Sequence, residues 1–290
     1  IIYTSGTTST PKGVMLSYDN LLANIEAVVD ANIYREDIRV MVLLPLHHAL
    51  PLMGTMIIPL FVNATIAFSP SLNAEDLIAT LQKHKITMII GVPRFYTLLR
   101  RKIKDKINEK FVTRFLFKTC EKINSFGFSK VIFSKVHKNF GGHLVTLVCG
   151  GAALDFEVER DFRTLGFEIL VGYGMTECAP MISFRRPGKA RIGASGQQLS
   201  CNEIKVVDNE IITRGRNIMQ GYYNKPKETA EIIKDGWLYT GDLGFLDKEG
   251  YIFITGRKKE LIILSNGKNI SPVEIEEKIA EISEIIHESA

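Results

Sequence analysis

Residues 3–14 form the stretch of this chain with the clearest capacity to bind a charged ligand. They read Tyr-Thr-Ser-Gly-Thr-Thr-Ser-Thr-Pro-Lys-Gly-Val, so six of the twelve are serine or threonine. Gly6 and Gly13 allow the backbone to turn and to approach a ligand closely. Hydroxyls together with free backbone N–H groups form a concavity that binds anions, and Lys12 adds a mobile positive charge. The stretch therefore predicts a loop that binds polyphosphate.

Two other interpretations of this loop compete with the first. A Walker P-loop requires Gly-Lys-Ser/Thr at the start of a helix, whereas here Pro11 precedes Lys12 and Gly13 follows it. The spacing therefore excludes a P-loop. A Ser/Thr-rich composition by itself describes a solvated linker equally well, and that alternative stays open at this point.

A second motif lies at residues 172–177, which read Gly-Tyr-Gly-Met-Thr-Glu. Tyr173 between two glycines offers a flat ring to a purine, with room for the ligand beside the backbone. Thr176 supplies a hydroxyl for phosphate, and Glu177 is a hard oxygen ligand of the kind that Mg²⁺ takes alongside water and phosphate. In isolation, a glycine-rich turn with a packed tyrosine would explain this motif equally well.

Asp242 closes a third motif, Asp-Gly-Trp-Leu-Tyr-Thr-Gly-Asp at residues 235–242. We expect this carboxylate to lie in a glycine-flanked turn, where it can accept hydrogen bonds from two vicinal hydroxyls. Acidic residues bind ribose in this way in other folds. The alternative is an aspartate in an ordinary surface turn.

Two shorter signals follow apolar runs. His47 and His48 come directly after the run that ends at Pro45, and an imidazole there can orient a carboxylate. A pair of loop histidines without a ligand is the alternative. Gly150 and Gly151 leave another apolar run, and a glycine pair suits the crevice at the carboxyl end of a parallel strand. Any tight turn would also use such a pair.

The elements that must position these motifs alternate along the chain. Strands are predicted for the apolar runs at 40–44, 86–92, 144–149, 167–171 and 251–255. Helices are predicted to begin after Ser17, Asp155 and Ser271, where a capping residue precedes apolar positions at helical spacing. The alternation predicts an α/β fold with mixed or parallel sheet layers and flanking helices. Residues 203–208 and 210–213 predict a hairpin around Asn209, and hence a small β-rich subdomain.

Composition indicates a globular chain of 290 residues, 46% hydrophobic and 23% charged, with a net charge of +4. No apolar run reaches the roughly 18 residues of a membrane span. The four cysteines are scattered without a Cys-x-x-Cys pair, which favours a reducing, cytosolic compartment over a zinc site or a disulfide framework.

Residues 100–139 depart from this average, with twelve basic residues against three acidic ones and six interleaved phenylalanines. Two interpretations are open. The segment is either a solvated helical face over the edge of the core or an amphipathic surface that contacts anionic lipid headgroups at the membrane periphery. Nucleic acid is not favoured as a partner, because no recognised binding motif accompanies the charge.

The three motifs, in this order, resemble the signatures of the adenylate-forming superfamily, which contains acyl-CoA synthetases, luciferases and peptide-synthetase adenylation domains. Ser9 departs from the glycine that the family usually has in its phosphate loop. Gly-Arg-Lys-Lys at 256–259 and Ser-Asn-Gly-Lys-Asn-Ile-Ser-Pro at 265–272 resemble the long-chain fatty acid–CoA ligases most. The resemblance extends over essentially the whole chain.

The resemblance implies a role for each motif residue. Residues implied to bind ATP or AMP are Thr4, Ser5, Gly6, Thr7, Thr8, Lys12, Gly151, Ala152, Tyr173, Gly174, Thr176, Asp242 and Arg257. Those implied to line the acyl pocket are His48, Gly150 and Gly151, and those implied to be catalytic are Lys12, Thr176 and Glu177. Glu177 is also the implied ligand of Mg²⁺, and Lys259 falls at the family's hinge.

By the same resemblance, residues 1–256 are part of the large AMP-binding domain, 257–259 form the hinge, and 260–290 begin the small α+β C-terminal domain. The implied reaction uses ATP, Mg²⁺ and coenzyme A to convert a fatty acid into its thioester through acyl-AMP. The family's catalytic lysine would lie beyond Ala290, so we expect this chain to be a piece of a longer enzyme and a weak catalyst alone. A carrier-protein acceptor and a non-catalytic acyl-nucleotide binding module are the alternatives.

Overall fold

The computed structural model describes residues 1–4, 11–189, 191–260, 262–263 and 269–270. The chain opens with a hairpin of β1 (Ile2–Thr4) and β2 (Lys12–Met15), in which Thr4 pairs with Lys12. Helix α1 (Tyr18–Asp30) follows. Its capping box joins Ser17 and Asn20, because each side chain accepts a hydrogen bond from the other residue's backbone N–H. The predicted helix start at Ser17 is confirmed.

The largest sheet has seven strands. They are β3 (Arg39–Val42), β4 (Thr65–Phe68), β5 (Met88–Gly91), β6 (Thr146–Cys149), β7 (Glu168–Gly174), β8 (Met181–Phe184) and β9 (Gln197–Gln198). Their spatial order is β4-β3-β5-β6-β7-β8-β9, with the first five parallel and the last two antiparallel. The predicted mixed α/β architecture is confirmed. Four of the five parallel strands differ from their predicted limits by a few residues, and β4 was not predicted.

The order of the parallel strands creates a crevice. The chain runs from β3 outward to β4 and then returns to the other side of β3 to form β5. The connections that leave the carboxyl ends of β3 and β5 therefore diverge, and such a switch point is where α/β sheets bind ligands.

Helices cover both faces of this sheet. Ala49–Phe61 is helical throughout, as α2 (Ala49–Pro51), a π-helical stretch (Leu52–Ile57) and α3 (Ile58–Phe61). The next helices are α4 (Ala74–Lys83), α5 (Pro93–Asn108), α6 (Phe111–Ile123), α7 (Phe126–Ile132), α8 (Ser134–Asn139) and α9 (Phe156–Thr164). Consecutive strand residues contribute to two different buried clusters, with Met88 and Ile90 in one and Ile89 in the other. Burial on both faces is typical of parallel sheets.

The basic segment 100–139 is part of this layer. Arg100 Nε and Lys104 Nζ lie 2.6 and 3.0 Å from the buried Asp161 of α9. Phe117 packs in the core beneath Lys104, whereas Phe111 is 75% exposed. One side of the segment is therefore a structural face, and contact of its other side with lipid stays a prediction. Within the described residues, no helix is long and apolar enough to cross a membrane.

The second sheet is antiparallel and lies on the path β10-β11-β14-β13, with β15 beside β14. Its members are β10 (Asn202–Val207), β11 (Glu210–Gly215), β13 (Ile233–Lys234), β14 (Trp237–Leu246) and β15 (Ile252–Arg257). Asp208 and Asn209 both have positive φ, of 51° and 63°, as a two-residue hairpin turn requires. The predicted hairpin around Asn209 is confirmed.

The remaining elements connect the parts. Strand β12 (Gly221–Tyr222) pairs with β2, and α10 (Pro226–Ile232) follows it. Beyond β15, the short strands β16 (Ile262–Ile263) and β17 (Asn269–Ile270) pair antiparallel. The helix predicted after Ser271 lies outside the described residues.

Candidate functional site

Asp242 contacts residues of both large sheets. Its Oδ2 accepts a 2.8 Å hydrogen bond from the Tyr173 hydroxyl of β7, and its Oδ1 accepts one of 2.9 Å from Arg257 Nε. Arg257 lies directly opposite Asp242 in the β14–β15 register. Only 5% of Asp242 is exposed. Tyr173 and Arg257, which the resemblance implies to bind ATP or AMP, therefore each contact Asp242.

The expected turn at Asp242 is wrong, because the residue lies within the ten-residue strand β14. Gly241 has a φ of +75°, so the backbone departs locally from a regular strand just before Asp242. Pairing with β15 holds the residue in place of the turn.

Burial, together with the negative charge of Asp242, raises the pKa of the Tyr173 phenol well above its usual value. Tyr173 therefore stays protonated at neutral pH and acts as a hydrogen-bond donor. The flanking glycines serve packing as well. A Cβ at Gly172 would lie 2.7 Å from the Phe184 ring, and one at Gly174 would lie 1.9 Å from the Pro180 carbonyl oxygen. Neighbouring protein atoms therefore occupy the space beside both glycines. We had expected that space to accommodate a ligand.

A second cluster lies around Glu177, which sits in the 3₁₀ turn Thr176–Cys178 directly after β7. The Tyr222 hydroxyl donates a 2.6 Å hydrogen bond to Glu177 Oε1. Lys12 Nζ lies 4.9 Å from the centroid of the Tyr222 ring, a cation–π distance. Thr176 is half-buried beside them. Lys12, Tyr222 and Glu177 therefore form a continuous chain of contacts from β2 to the end of β7.

The sequence analysis did not identify Tyr222. No spacing rule links Tyr222 with Glu177, which lies 45 positions earlier. The link arises because β12 pairs with β2 and places Tyr222 opposite Val14. Burial, reinforced by the charge of Glu177, raises the pKa of Tyr222 and keeps its phenol protonated.

Two buried asparagines stabilise the Thr176–Cys178 turn through hydrogen bonds. The Nδ2 atoms of Asn24 and Asn217 donate to the carbonyl oxygen of Met181 at 2.8 and 3.0 Å. Asn217 Nδ2 also donates to the carbonyl of Cys178 at 3.1 Å. Both side chains are fully buried. These hydrogen bonds stabilise the backbone that follows Glu177. The sequence analysis did not identify either asparagine.

The donor set around Glu177 suits one kind of metal ion. Within the described part of the chain, no group of three or more His, Cys, Asp or Glu residues could hold a metal. Mg²⁺ commonly takes one or two carboxylates and completes its shell with water and substrate phosphates. A single buried carboxylate that is linked through Tyr222 to Lys12 therefore fits magnesium that arrives with a polyphosphate.

The phosphate loop is only partly described. Thr4 Oγ1 lies 3.4 Å from the carbonyl oxygen of Lys12 across the β1–β2 pair. Ser5, Gly6, Thr7 and Thr8 lie outside the described residues. Lys12 belongs to strand β2, so its position is set by strand pairing.

The residues that the resemblance implies for an acyl pocket lie at the carboxyl edge of the parallel strands. A Cβ at Gly150 would lie 3.2 Å from Leu50 Cδ2 and 3.6 Å from the Gly172 carbonyl oxygen, so these three segments converge. His48, two residues before Leu50, is exposed, and its ring centroid lies 4.1 Å from that of His47. Gly151, which has a φ of +89°, and Ala152 are exposed beside this edge.

Residues 1–223 match the family described as AMP-binding enzyme. The chain is 28% identical to a long-chain-fatty-acid–CoA ligase of Mycobacterium bovis, over 96% of this chain and 50% of that protein. It is 32% identical to a long-chain-fatty-acid–CoA ligase of Gallus gallus, with coverages of 99% and 42%. It is also 28% identical to a feruloyl-CoA synthase of Amycolatopsis, with coverages of 96% and 53%.

Two solved structures are similar in fold. ATP-bound MatB from Rhodopseudomonas palustris gives a TM-score of 0.78 at 29% identity, over 99% of this chain and 52% of that chain. O-succinylbenzoate coenzyme A synthetase of Bacillus subtilis, in complex with ATP and magnesium ion, gives 0.77 at 26% identity, with coverages of 98% and 55%. The chain therefore spans about half the length of the relatives it matches.

Proposed function

Because the chain belongs to the AMP-binding enzyme family, we propose that its protein activates a carboxylic acid with ATP and transfers the acyl group to coenzyme A. A carboxylate oxygen attacks the α-phosphorus of ATP, the bond to the bridging oxygen breaks, and pyrophosphate leaves. The sulfur of coenzyme A then attacks the acyl carbonyl carbon of acyl-AMP. AMP leaves, and the thiol proton passes to solvent.

One observation carries the proposal. The short segment from Tyr173 to Glu177 joins the Asp242–Arg257 cluster to the Lys12–Tyr222 cluster. The first cluster offers an aromatic ring and a carboxylate, as an adenosine would require. The second offers a cation and a hard carboxylate, as a polyphosphate with magnesium would require. ATP needs both at a fixed separation.

The residues act by positioning and by neutralising charge. In this proposal Lys12 faces the phosphates, while Glu177 holds Mg²⁺, which would neutralise phosphate charge when bound. Asp242 accepts the ribose hydroxyls, and Arg257 balances the charge of Asp242. Preorganised charge of this kind stabilises the developing charge of a phosphoryl transfer without covalent participation of the protein.

For the substrate we propose a long-chain fatty acid. The relatives include long-chain-fatty-acid–CoA ligases, which agrees with the wording of residues 256–259 and 265–272. A feruloyl-CoA synthase is equally similar, so an aryl acid is the direct competitor. His48, Gly150 and Gly151 would line the acyl pocket, because the carboxyl ends of β3 and β6 bring them to one edge.

We propose the same domain division that the motifs imply, with residues 1–256 in the large domain, 257–259 as the hinge and 260–290 as the start of the small domain. A carrier-protein acceptor in place of coenzyme A remains the alternative second step.

The test is carboxylate-dependent exchange of labelled pyrophosphate into ATP by the intact protein, with acetate, hexanoate, palmitate, ferulate and an amino acid compared side by side. Exchange with palmitate and not with ferulate supports the full proposal. Exchange with ferulate alone keeps adenylation and replaces the substrate. No exchange with any acid rejects adenylation and leaves a non-catalytic binding module.

A further inference from the structure

Two consecutive residues at the end of β15 are each held by a buried carboxylate. Arg257 Nε lies 2.9 Å from Asp242 Oδ1, and Lys258 Nζ lies 2.9 Å from Glu210 Oε2. The two basic side chains are 58% and 61% exposed, whereas their carboxylate partners are 7% and 6% exposed. The two carboxylates are therefore buried within the sheet, whereas the two cations lie at its surface.

Glu210 has a second partner next to the proposed nucleotide site. Its Oε1 accepts a 3.0 Å hydrogen bond from the backbone N–H of Gly241, the residue before Asp242. Glu210 lies on β11, opposite Leu243 of the neighbouring strand. One buried carboxylate thus contacts both the backbone beside Asp242 and the side chain of Lys258.

A buried carboxylate in such a position is costly unless both of its oxygens are satisfied. Here one oxygen is satisfied by a backbone amide of β14 and the other by a lysine beyond β15. Removal of either partner leaves a buried charge with one interaction fewer, so the two contacts are expected to support one another.

We propose that Glu210 is a positioning residue. It fixes the main chain up to Lys258 and thereby sets the position of the proposed hinge at Lys259 relative to Asp242, the carboxylate proposed to bind the nucleotide. This inference rests on the proposed function and on its proposed hinge at 257–259, about which we take the following segment to move between the two half-reactions. Glu210 contacts neither substrate nor cofactor in this scheme. It acts through Lys258 and Gly241.

The first measurement follows hydrogen exchange of the amides at 257–260 in the intact protein. The variants are Glu210→Gln and Lys258→Met, which remove the contact from opposite sides. The control is Glu203→Gln, because Glu203 forms an exposed ion pair of 3.0 Å with Arg214 on the neighbouring strands. In both test variants the amides at 257–260 should exchange at least about fivefold faster than in the wild type, whereas the control variant should match the wild type. A factor of about five is the low end of the couplings found between linked sites.

The second measurement compares the two half-reactions, as pyrophosphate exchange and as transfer from isolated acyl-AMP to coenzyme A. We expect both test variants to change the ratio of the two rates by at least about fivefold, with the KM for ATP unchanged. The variant that carries both substitutions should change this ratio no more than the stronger single variant does, because all three variants lose the same contact.

The inference is overturned if exchange at 257–260 does not rise in both test variants, or if it rises equally throughout β10, β11 and β14. It is also overturned if the local rise leaves the half-reaction ratio unchanged. Failure of the proposed function appears separately, as wild-type protein without carboxylate-dependent exchange. Hydrogen exchange would in that case still show whether Glu210 fixes Lys258.

Discussion

The phenol of Tyr222 donates its 2.6 Å hydrogen bond to the one buried carboxylate that the sequence assigned to magnesium, Glu177. The bond passes between β12 and the turn that follows β7, while the same ring lies beneath Lys12. Tyr222 is therefore the side chain that connects the phosphate-loop strand to Glu177. Its hydroxyl and its ring have separate partners, and these can be tested separately.

Replacing Tyr222 by Phe should keep the ring beneath Lys12 and remove the hydrogen bond to Glu177. A buried acceptor that loses its donor costs about 1–3 kcal/mol, so we expect pyrophosphate exchange to fall by about tenfold or more. Exchange should be measured over a range of Mg²⁺ concentrations. Tyr223→Phe is the matched control, because Tyr223 is 48% exposed beside it. Equal loss in both variants would contradict the assignment.

Replacing Asp242 by Asn should weaken AMP binding. The substitution preserves shape but leaves Arg257 without its anionic partner and removes one acceptor for ribose. Loss of a hydrogen bond to a charged group costs about 1.5–3 kcal/mol, which corresponds to at least about tenfold in affinity. Titration calorimetry with AMP measures the effect. Asp247→Asn, which changes the ion pair with Arg191 instead, should bind AMP as the wild type does.

The sequence predicted the elements whose signals are local. Apolar runs marked four of the five parallel strands and missed β4, the capping pattern marked the start of α1, and Asn209 marked the hairpin. Contacts between distant segments could not be predicted in this way. Gly241 beside Asp242 reads as a turn signal, yet pairing with β15 extends β14 through that position.

The candidate site shows the same division. Its motif residues could be listed from the sequence because the motifs resemble those of a known family and several of their residue types suit ATP chemistry. The residues that hold them, Tyr222, Asn24 and Asn217, could not be listed, because their partners lie 45, 154 and 39 positions away along the chain. Only the pairing of β12 with β2 and the packing of α1 bring them together.

Arg185 and Glu159 form a buried ion pair that should dominate the stability of the large sheet's edge. The Arg185 guanidinium contacts both Glu159 oxygens, and its Nε donates to the carbonyl of Ala194 at 2.5 Å. Both side chains are more than 90% buried. Arg185→Met leaves an unpaired buried carboxylate, so we expect the free energy of unfolding to fall by about 3–5 kcal/mol.

Denaturant unfolding measures this loss. Arg191→Met removes exposed ion pairs with Asp247 and Glu249 and should cost at most about 1 kcal/mol. The double variant Arg185→Met with Glu159→Met should recover part of the loss, because it leaves no buried charge. If the double variant is less stable than Arg185→Met alone, the unpaired charge of Glu159 is not the reason for the loss of stability.

His137 should make stability depend on pH in the acidic range. Its ring stacks on Phe167 at 4.0 Å and its Nε2 lies 2.9 Å from the Leu165 carbonyl oxygen. Burial lowers its pKa below the usual 6.5. Below about pH 6.5 the unfolded chain therefore binds a proton that the folded protein resists, so stability present above that value is lost as pH falls towards the folded pKa. His137→Gln should lose less thermal stability between pH 7 and pH 5 than the wild type, whereas His143→Gln, at an exposed position, should match it. Identical profiles for wild type and His137→Gln would contradict the assignment.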